Sequence, residues 1–550
     1  MCPTTTKPVD LTHHFSKISK ARRPNALKEY YKYLFTPGMC NFSGGLPHTS
    51  IFPFGKLDLS VDRPTKFPTT KEDIGGQNVI PDSDILCYIP RYSGKSVAQK
   101  IDLATALQYG SAQGYPPLHS VLRRLVSIQH PSIPYEGGPE VIIDGGSADG
   151  LSKVFDLLFN TWDKDLDDIR NREGLLVEEF VYGPPVAHAR TKDVNIVPLK
   201  MDDEGMLAHG TGSLSDILQS WDHMNGKRPH VLYTIPTGQN PSSGTLSASR
   251  RKEVYDVCSM YDVVVVEDDP YWSLYYPSAR SYAAQYRAAT NNILTGPPTE
   301  PSTGYRFLDE MEPSFLNFDR DGRVIRLDSF SKTIAPGCRL GWITASPRVC
   351  EQLFRITDDT TQQPSGFVQA IVAQLIGEQC DLGQGPSSWG FDGWVRWLEG
   401  LRAAYERRMV KMATVFEQNR FFTTGADKVM MFDFQWPTGG MFIWVEVKVA
   451  SHPLASTIDH RRLMRALWIH CTQPPYLILT VLGKDFAATE EIAARRGYLF
   501  FRFCFAAIDG DLLEAKSKSF TDACRDFWSI NSHEKIDQLM REEDGQNPSG

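Results

Sequence analysis

Five short runs of β-branched and aliphatic residues, set apart by longer helical periods, leave this chain few folds. Val141-Ile142-Ile143, Gly174 to Val177, Val231 to Ile235, Val263 to Val266 and Val324 to Leu327 are apolar on both faces. A strand has that pattern when helices cover its sheet on both sides. The stretches between, among them Leu151 to Phe159 and Ser247 to Tyr261, repeat apolar residues at helical spacing. The alternation predicts an α/β domain with a mostly parallel central sheet covered by helices, its ligand at the carboxyl ends of the strands. After about Phe367 the pattern changes. Long helical stretches, Phe367 to Glu378 and Trp397 to Asn419, precede alternating strands at Met441 to Val447 and Tyr498 to Phe505. They predict a smaller C-terminal α+β domain.

A chain of 550 residues exceeds one hydrophobic core. The expected division is an N-terminal arm over 1–60, a large domain over 61–366 with a loop insertion at about 286–322, a small domain over 367–533 and a flexible tail over 534–550. Turn-forming stretches at 63–84, 289–304 and 383–390 read as surface loops. A net charge of −8 argues against nucleic acid or an anionic membrane as the main partner. Ten cysteines scattered from Cys2 to Cys524 without a CxxC pair predict reduced thiols, with no disulfide frame and no metal site. Met1 to Phe15 holds no apolar run resembling a signal peptide, and no uninterrupted apolar stretch is long enough to span a membrane. A cytoplasmic location is the expectation.

The residues just past each predicted strand are rich in chemical groups. Val324–Leu327 runs into Asp328-Ser329-Phe330-Ser331-Lys332, then Pro336-Gly337-Cys338-Arg339. Hydroxyls at −3 and −1 from Lys332 and the guanidinium at +7 make a phosphate cradle beside an amine. An amine held there can form an imine with an aldehyde. Val263–Val266 leads to Glu267-Asp268-Asp269-Pro270-Tyr271, and Val231–Ile235 to Pro236-Thr237-Gly238-Gln239-Asn240-Pro241. Val141–Ile143 is followed by Asp144-Gly145-Gly146-Ser147-Ala148, which opens a helix whose first N–H groups suit a phosphate. After Gly174–Val177 stands Tyr182-Gly183-Pro184, a planar ring able to stack on another.

These segments, in this order, resemble the fold-type I pyridoxal-phosphate-dependent aminotransferases of class I and II. With three further segments the resemblance covers roughly Phe42 to Phe505. It implies pyridoxal 5′-phosphate as cofactor, carried by Lys332 as a Schiff base. It makes Asp268 the partner of the pyridine nitrogen, and Tyr271 and Asn240 the partners of the ring oxygen, with Asn240 also touching the substrate carboxylate. Ser147, the Ala148 N–H, Ser329, Ser331 and Arg339 fall on the family's phosphate-binding positions, and Tyr182 on the position that stacks on the ring. Asp269 reads as structural. The glycine after Asn240 comes one place later than in relatives, at Ser242-Ser243-Gly244. The segment Cys40 to Phe54 resembles the one that crosses the substrate site, with Gly45 as its contact. Leu107 to Leu118 resembles the segment whose tyrosine, here Tyr109, reaches the phosphate of a neighbouring subunit, which implies a homodimer. Phe501-Arg502-Phe503 resembles the strand whose arginine clamps the α-carboxylate, and Arg502 flanked by aromatics suits burial only against an anion.

The loops and the EDDPY form most resemble the fungal aromatic and kynurenine/2-aminoadipate aminotransferases. The function so implied is ping-pong transfer of the amino group from an aromatic or related L-amino acid to a 2-oxo acid such as 2-oxoglutarate. Lys332 then serves as general base and acid. A 2-aminoadipate or kynurenine donor, or a lyase or decarboxylase reaction on the same groups, is the alternative. A regulatory sensor on this fold is the remaining class. It requires an N-terminal winged helix, for which the 40 residues before Asn41 give little room.

Overall fold

The computed structural model describes residues 6–24, 33, 36, 38–39, 42, 45–69, 84–287, 301–377, 388–424 and 427–546. Most of the loops expected at 63–84, 289–304 and 383–390 lies outside the described residues.

An antiparallel ribbon of β1 (Lys56–Val61) and β2 (Ile85–Pro90) precedes the main sheet. The sheet comprises β3 (Glu140–Asp144), β4 (Gly174–Glu178), β5 (Asn195–Leu199), β6 (Val231–Thr234), β7 (Val264–Asp268), β8 (Val324–Ser329) and β9 (Gly341–Ala345). Their spatial order is β3-β9-β8-β7-β6-β4-β5. All five expected strands are present. β9 runs antiparallel to both its neighbours, and the other pairs are parallel. β5 and β9 escape the sequence pattern for different reasons. β5 contains Pro198, which an edge strand tolerates. β9 is a short run placed directly after a turn. Because β9 is wedged between β3 and β8, β3 still points the same way as the parallel strands. Six strand ends therefore open on one edge.

Alternation along each strand divides the core. Ile142, Leu175, Val177, Tyr233, Val264, Val266, Ile325, Leu327 and Ile343 join one cluster with the helices Ser147–Leu158 and Pro347–Asp359. Leu176, Leu232 and Val265, one residue out of step, pack with the helix Ala248–Met260 on the other side. Val141, Ile143 and Trp342 meet the helix Pro116–Gln129. Each fully buried side chain of this kind contributes about 1.5–3 kcal/mol.

The C-terminal region adds the ribbon β10 (Phe421–Thr424) and β11 (Asp427–Met430), then an antiparallel sheet of β12 (Phe432–Phe434), β13 (Phe442–Val447), β14 (Val481–Leu482) and β15 (Phe500–Cys504). That sheet has the order β12-β13-β15-β14. Three expectations need correction. The helix Gly366–Ile376, expected to open the small domain, packs through Ala370, Ala373 and Ile376 on the large one, beside Leu118 and Leu122. The helix Gly390–Asn419 passes from one cluster to another: Trp394 and Leu398 belong to that same cluster, Met409 and Phe416 to the one that covers a face of the main sheet and continues under the C-terminal sheet. The later part of the insertion placed at 286–322 is no surface loop, since Phe307, Leu308, Phe315 and Leu316 are buried. The tail expected to be flexible carries the helix His533–Gln546. Its Ile536 is buried, and Leu539 and Met540, one turn on, pack on the same cluster. Among the described residues no helix is long and apolar enough to cross a membrane.

Strand alternation also places a buried charge network at the ends of β7 and β8. Arg326 donates to Glu267 Oε1 at 2.8 Å and pairs with Asp328 through two contacts of 2.9 Å. It lies 3.5 Å from Asp269, and Arg251 comes within 4.0 Å of both Glu267 and Asp269. All five groups are at most 2 % exposed. Removing one partner strands buried carboxylates without a counter-charge. Arg326→Met is expected to lower the stability read from the urea midpoint by about 3–5 kcal/mol. A change within error would show that the network carries no weight.

Candidate active site

The residues singled out in the sequence stand where the strands end. At the end of β8, the N–H groups of Thr333, Ile334 and Ala335 all donate to the Phe330 carbonyl. That tight turn holds Lys332 at its tip, half-buried. Ser329 Oγ donates to Ser331 Oγ at 2.8 Å and accepts from the Ser331 N–H at 3.0 Å. Arg339 takes the left-handed conformation, φ 44°, and its Nη1 lies 3.5 Å from Ser331 Oγ.

The helix Ser147–Leu158 begins opposite this cluster. Gly146 caps it at φ 97°, and a Cβ there would lie 2.8 Å from Arg339 Nη2. Only glycine lets the guanidinium approach the helix end so closely. Ser147 and Ala148 stand in the first turn, where N–H groups have no intrahelical acceptor. Ser147 Oγ is buried without a partner. Three hydroxyls, a guanidinium and a helix N-terminus converge, a set of groups that suits a phosphate dianion.

Asp268 closes β7 on the face opposite Glu267 and Asp269. Its Oδ2 accepts from the Tyr233 hydroxyl at 2.8 Å, and its Oδ1 is buried without a partner. Burial, opposed by that hydrogen bond and by the nearby Ser147 hydroxyl, pushes its pKa up to about 6. Asp144, which accepts from the Gly146 N–H, and Glu178, which accepts from the Thr234 hydroxyl, are raised by burial to about 7. One oxygen of each is also unpartnered. A cationic ring N–H aimed at Asp268 Oδ1 would satisfy the carboxylate. Tyr182 caps the helix Gly183–Arg190 at the end of β4, and burial followed by the Asp268 charge raises its phenol. Tyr271 is buried, its ring edge-on to Phe442.

Asn240 and Arg502, 262 residues apart, meet: Arg502 Nη1 donates to Asn240 Oδ1 at 2.7 Å. The guanidinium lies between the rings of Phe442 and Phe486, 4.2 and 4.6 Å from their centroids. Its Nε is buried without a partner, and desolvation lowers its pKa. The extra residue before Gly244 is absorbed by Ser243, which adopts φ 67°, donates its N–H to Gln239 and its hydroxyl to the Phe442 carbonyl. Gly238 beside it passes so close to the Gly439-Gly440 backbone that any Cβ would strike it.

Asp269 holds a structural position, bonded to the Thr237 hydroxyl. Two expected residues stay outside. Gly45 is exposed with open space around it, and Tyr109 is 62 % exposed. Asp144, Tyr233, Phe442 and Phe486 stand among these groups and were missed by the sequence reading. For Asp144 a signal existed, since it is a charge closing an apolar run. For Tyr233 none did, because its bond to Asp268 depends on the register of β6 against β7.

A model of the aminotransferase class I and II family matches residues 95–514. The L-tyrosine:2-oxoglutarate aminotransferase atrD of Tapinella panuoides is 34% identical over 82% of this chain and 76% of its own length. An aromatic amino acid aminotransferase of Schizosaccharomyces pombe is 29% identical over 96% of this chain and 98% of its own. Among solved structures, the aminotransferase Aro8 from Candida albicans superposes with a TM-score of 0.74 at 28% identity, covering 96% of this chain and all of that one.

The Asp268 shift carries a stability consequence. With its pKa raised from 3.8 to about 6, the folded ligand-free protein holds this proton more tightly than the unfolded chain. Stability from the group is therefore full below pH 4 and falls as pH rises through 4 to 6, a loss of about 3 kcal/mol. Ligand-free Asp268→Asn is expected to melt above the ligand-free parent at pH 8, the gap closing toward pH 4. Calorimetry across that range checks this, and a gap independent of pH would refute it.

Proposed function

This chain belongs to the class I and II aminotransferases, and from that premise we propose that it uses pyridoxal 5′-phosphate on Lys332 to move the amino group of an aromatic L-amino acid to a 2-oxo acid. The observation that carries the reading is Arg502: a guanidinium desolvated between two phenyl rings, bonded to Asn240 and paired with no carboxylate among the described residues. Such a group is stable when an anion arrives. An amino acid's α-carboxylate supplies it, gripped by Arg502 with Asn240 alongside.

The residues present fit the cofactor. Ser329, Ser331, Arg339, Ser147 and the N–H groups of the first helical turn bind its phosphate. Asp268 keeps the proton on its ring nitrogen, and Tyr233, by holding Oδ2, leaves Oδ1 for that contact. Tyr182 would cover the face of its ring, and Tyr271 and Asn240 would bind its oxygen. Bound there, the cofactor supplies an electron-poor ring that takes up the charge left when the α-proton departs. Lys332 Nζ, once freed by the incoming amine, would take that proton from the substrate's α carbon as general base and hold it for return as general acid. The carboxylate held by Arg502 fixes which hydrogen faces Lys332.

The aromatic donor rests on the relatives, which are named as tyrosine and aromatic amino acid aminotransferases. A homodimer fits Tyr109, whose exposed ring is free to serve a second subunit's phosphate.

The visible band of the Lys332-bound cofactor reads the reaction directly. Phenylalanine, tyrosine or tryptophan is expected to bleach it and 2-oxoglutarate to restore it, whereas Lys332→Ala lacks it. Bleaching confined to 2-aminoadipate or kynurenine would refute the aromatic donor, and a supplemented protein without the band would refute the cofactor. Arg502→Gln is expected to keep the band and to lower kcat/KM for the donor about 10–100-fold, chiefly through KM.

A further inference from the structure

At the end of β7 opposite Asp268, the N-terminal segment meets the large domain through imidazoles. The single turn Thr12–His14 sets His13 and His14 against Asp262, which stands in the turn between the helix Ala248–Met260 and β7. His13 Nε2 lies 2.6 Å from Asp262 Oδ2, and His14 Nε2 lies 3.2 Å from Oδ1. One ligand atom from each residue falls within 4.8 Å of the others. Ligands at zinc distances around a tetrahedral ion stand about 3.3 Å apart, so small side-chain movements suffice.

A second observation points to a cation here. His14 is 5 % exposed, and its Nε2 faces Asp262 Oδ1 at 3.2 Å without the alignment of a hydrogen bond. Its Nδ1 is 3.0 Å from Nδ1 of His230, which is equally buried. One proton fits between those nitrogens. If His14 donates it, a bare Nε2 lone pair faces the Asp262 carboxylate. If His230 donates it, the bare lone pair is His230 Nε2, likewise unpartnered and 3.6 Å from Glu173 Oε1. A cation held by His14 and Asp262 removes the clash in the first arrangement. It leaves His14 as a metal-bound imidazole whose second nitrogen donates into the protein, the usual way such rings are oriented. Arg323 Nη1 approaches Asp262 only on Oδ1, at 3.3 Å, and also bonds to the Val263 carbonyl while its Nε holds Asp321. Lys20 Nζ reaches the His13 carbonyl, not its ring.

We propose that His13 Nε2, His14 Nε2 and a carboxylate oxygen of Asp262 bind one divalent transition-metal ion of the zinc class. Two imidazoles and one carboxylate suit zinc over calcium or magnesium. Water completes the shell, since the side chains of His13 and Asp262 are 56% and 46% exposed. The ion ties the N-terminal segment to the turn that feeds β7, away from the chemistry.

The test uses the full chain with its cofactor, stripped by a chelator and titrated with Co2+, then Zn2+. The expected result is one equivalent of Co2+ with visible ligand-field absorption, displaced by Zn2+, and a melting temperature raised by about 2 °C or more. The cofactor band and the transamination rate stay unchanged. His13→Gln, at an exposed position, and Asp262→Asn are each expected to lose both the binding and the thermal shift. Wild-type protein that takes up no stoichiometric Co2+, or variants that bind as wild type does, would overturn the proposal.

Discussion

Five charged side chains shut away from water fix the geometry on which the site depends. Arg326 and Arg251 face Glu267, Asp269 and Asp328 at the ends of β7 and β8. Charges so buried are tolerated only when paired and hydrogen-bonded. Arg251 also donates to the Pro236 carbonyl and the Thr237 hydroxyl, so the loop that carries Asn240 is tied to the same group. Because side chains alternate along a strand, anchoring Glu267 and Asp269 on one face turns Asp268 to the other. The run Glu267-Asp268-Asp269 thus does two jobs: its outer members hold the sheet edge, and its middle one turns to the opposite face, toward Tyr233.

On that other face the balance reverses. Asp144 and Asp268 are buried near each other, each with an oxygen that has no partner, and burial raises both. Without a ligand this arrangement works against folding. The same deficit favours a ligand that brings a cationic ring N–H to Asp268. Arg502 shows the opposite sign of the same principle, a desolvated cation held ready between phenyl rings for an anion. Each group is left short of a counter-charge, which suits it to a ligand of the opposite sign.

Much of the site is legible in the chain alone. The five apolar runs form strands, and the segments after them converge, so Lys332, Ser329, Ser331, Arg339, Ser147, Asn240 and Asp268 stand at one edge of the sheet. Local rules suffice there: strand direction and the residues just past a strand end are encoded in short windows. Tyr109 and Gly45 rest on resemblance, and within one chain they remain exposed. The helix Gly390–Asn419 passes from one cluster to another partway along, and no local pattern in the sequence marks where.

By itself, the sequence determined which chemical groups stand at the strand ends and in what order, since side-chain period and turn residues act over a few positions. The tertiary structure alone decided which of them are unsatisfied. It set β9 against the sheet direction, brought Tyr233 to Asp268, and laid Phe442 and Phe486 around an arginine that meets an asparagine 262 residues away. Those outcomes depend on register and on burial between distant segments, and neither has a local signature in the chain.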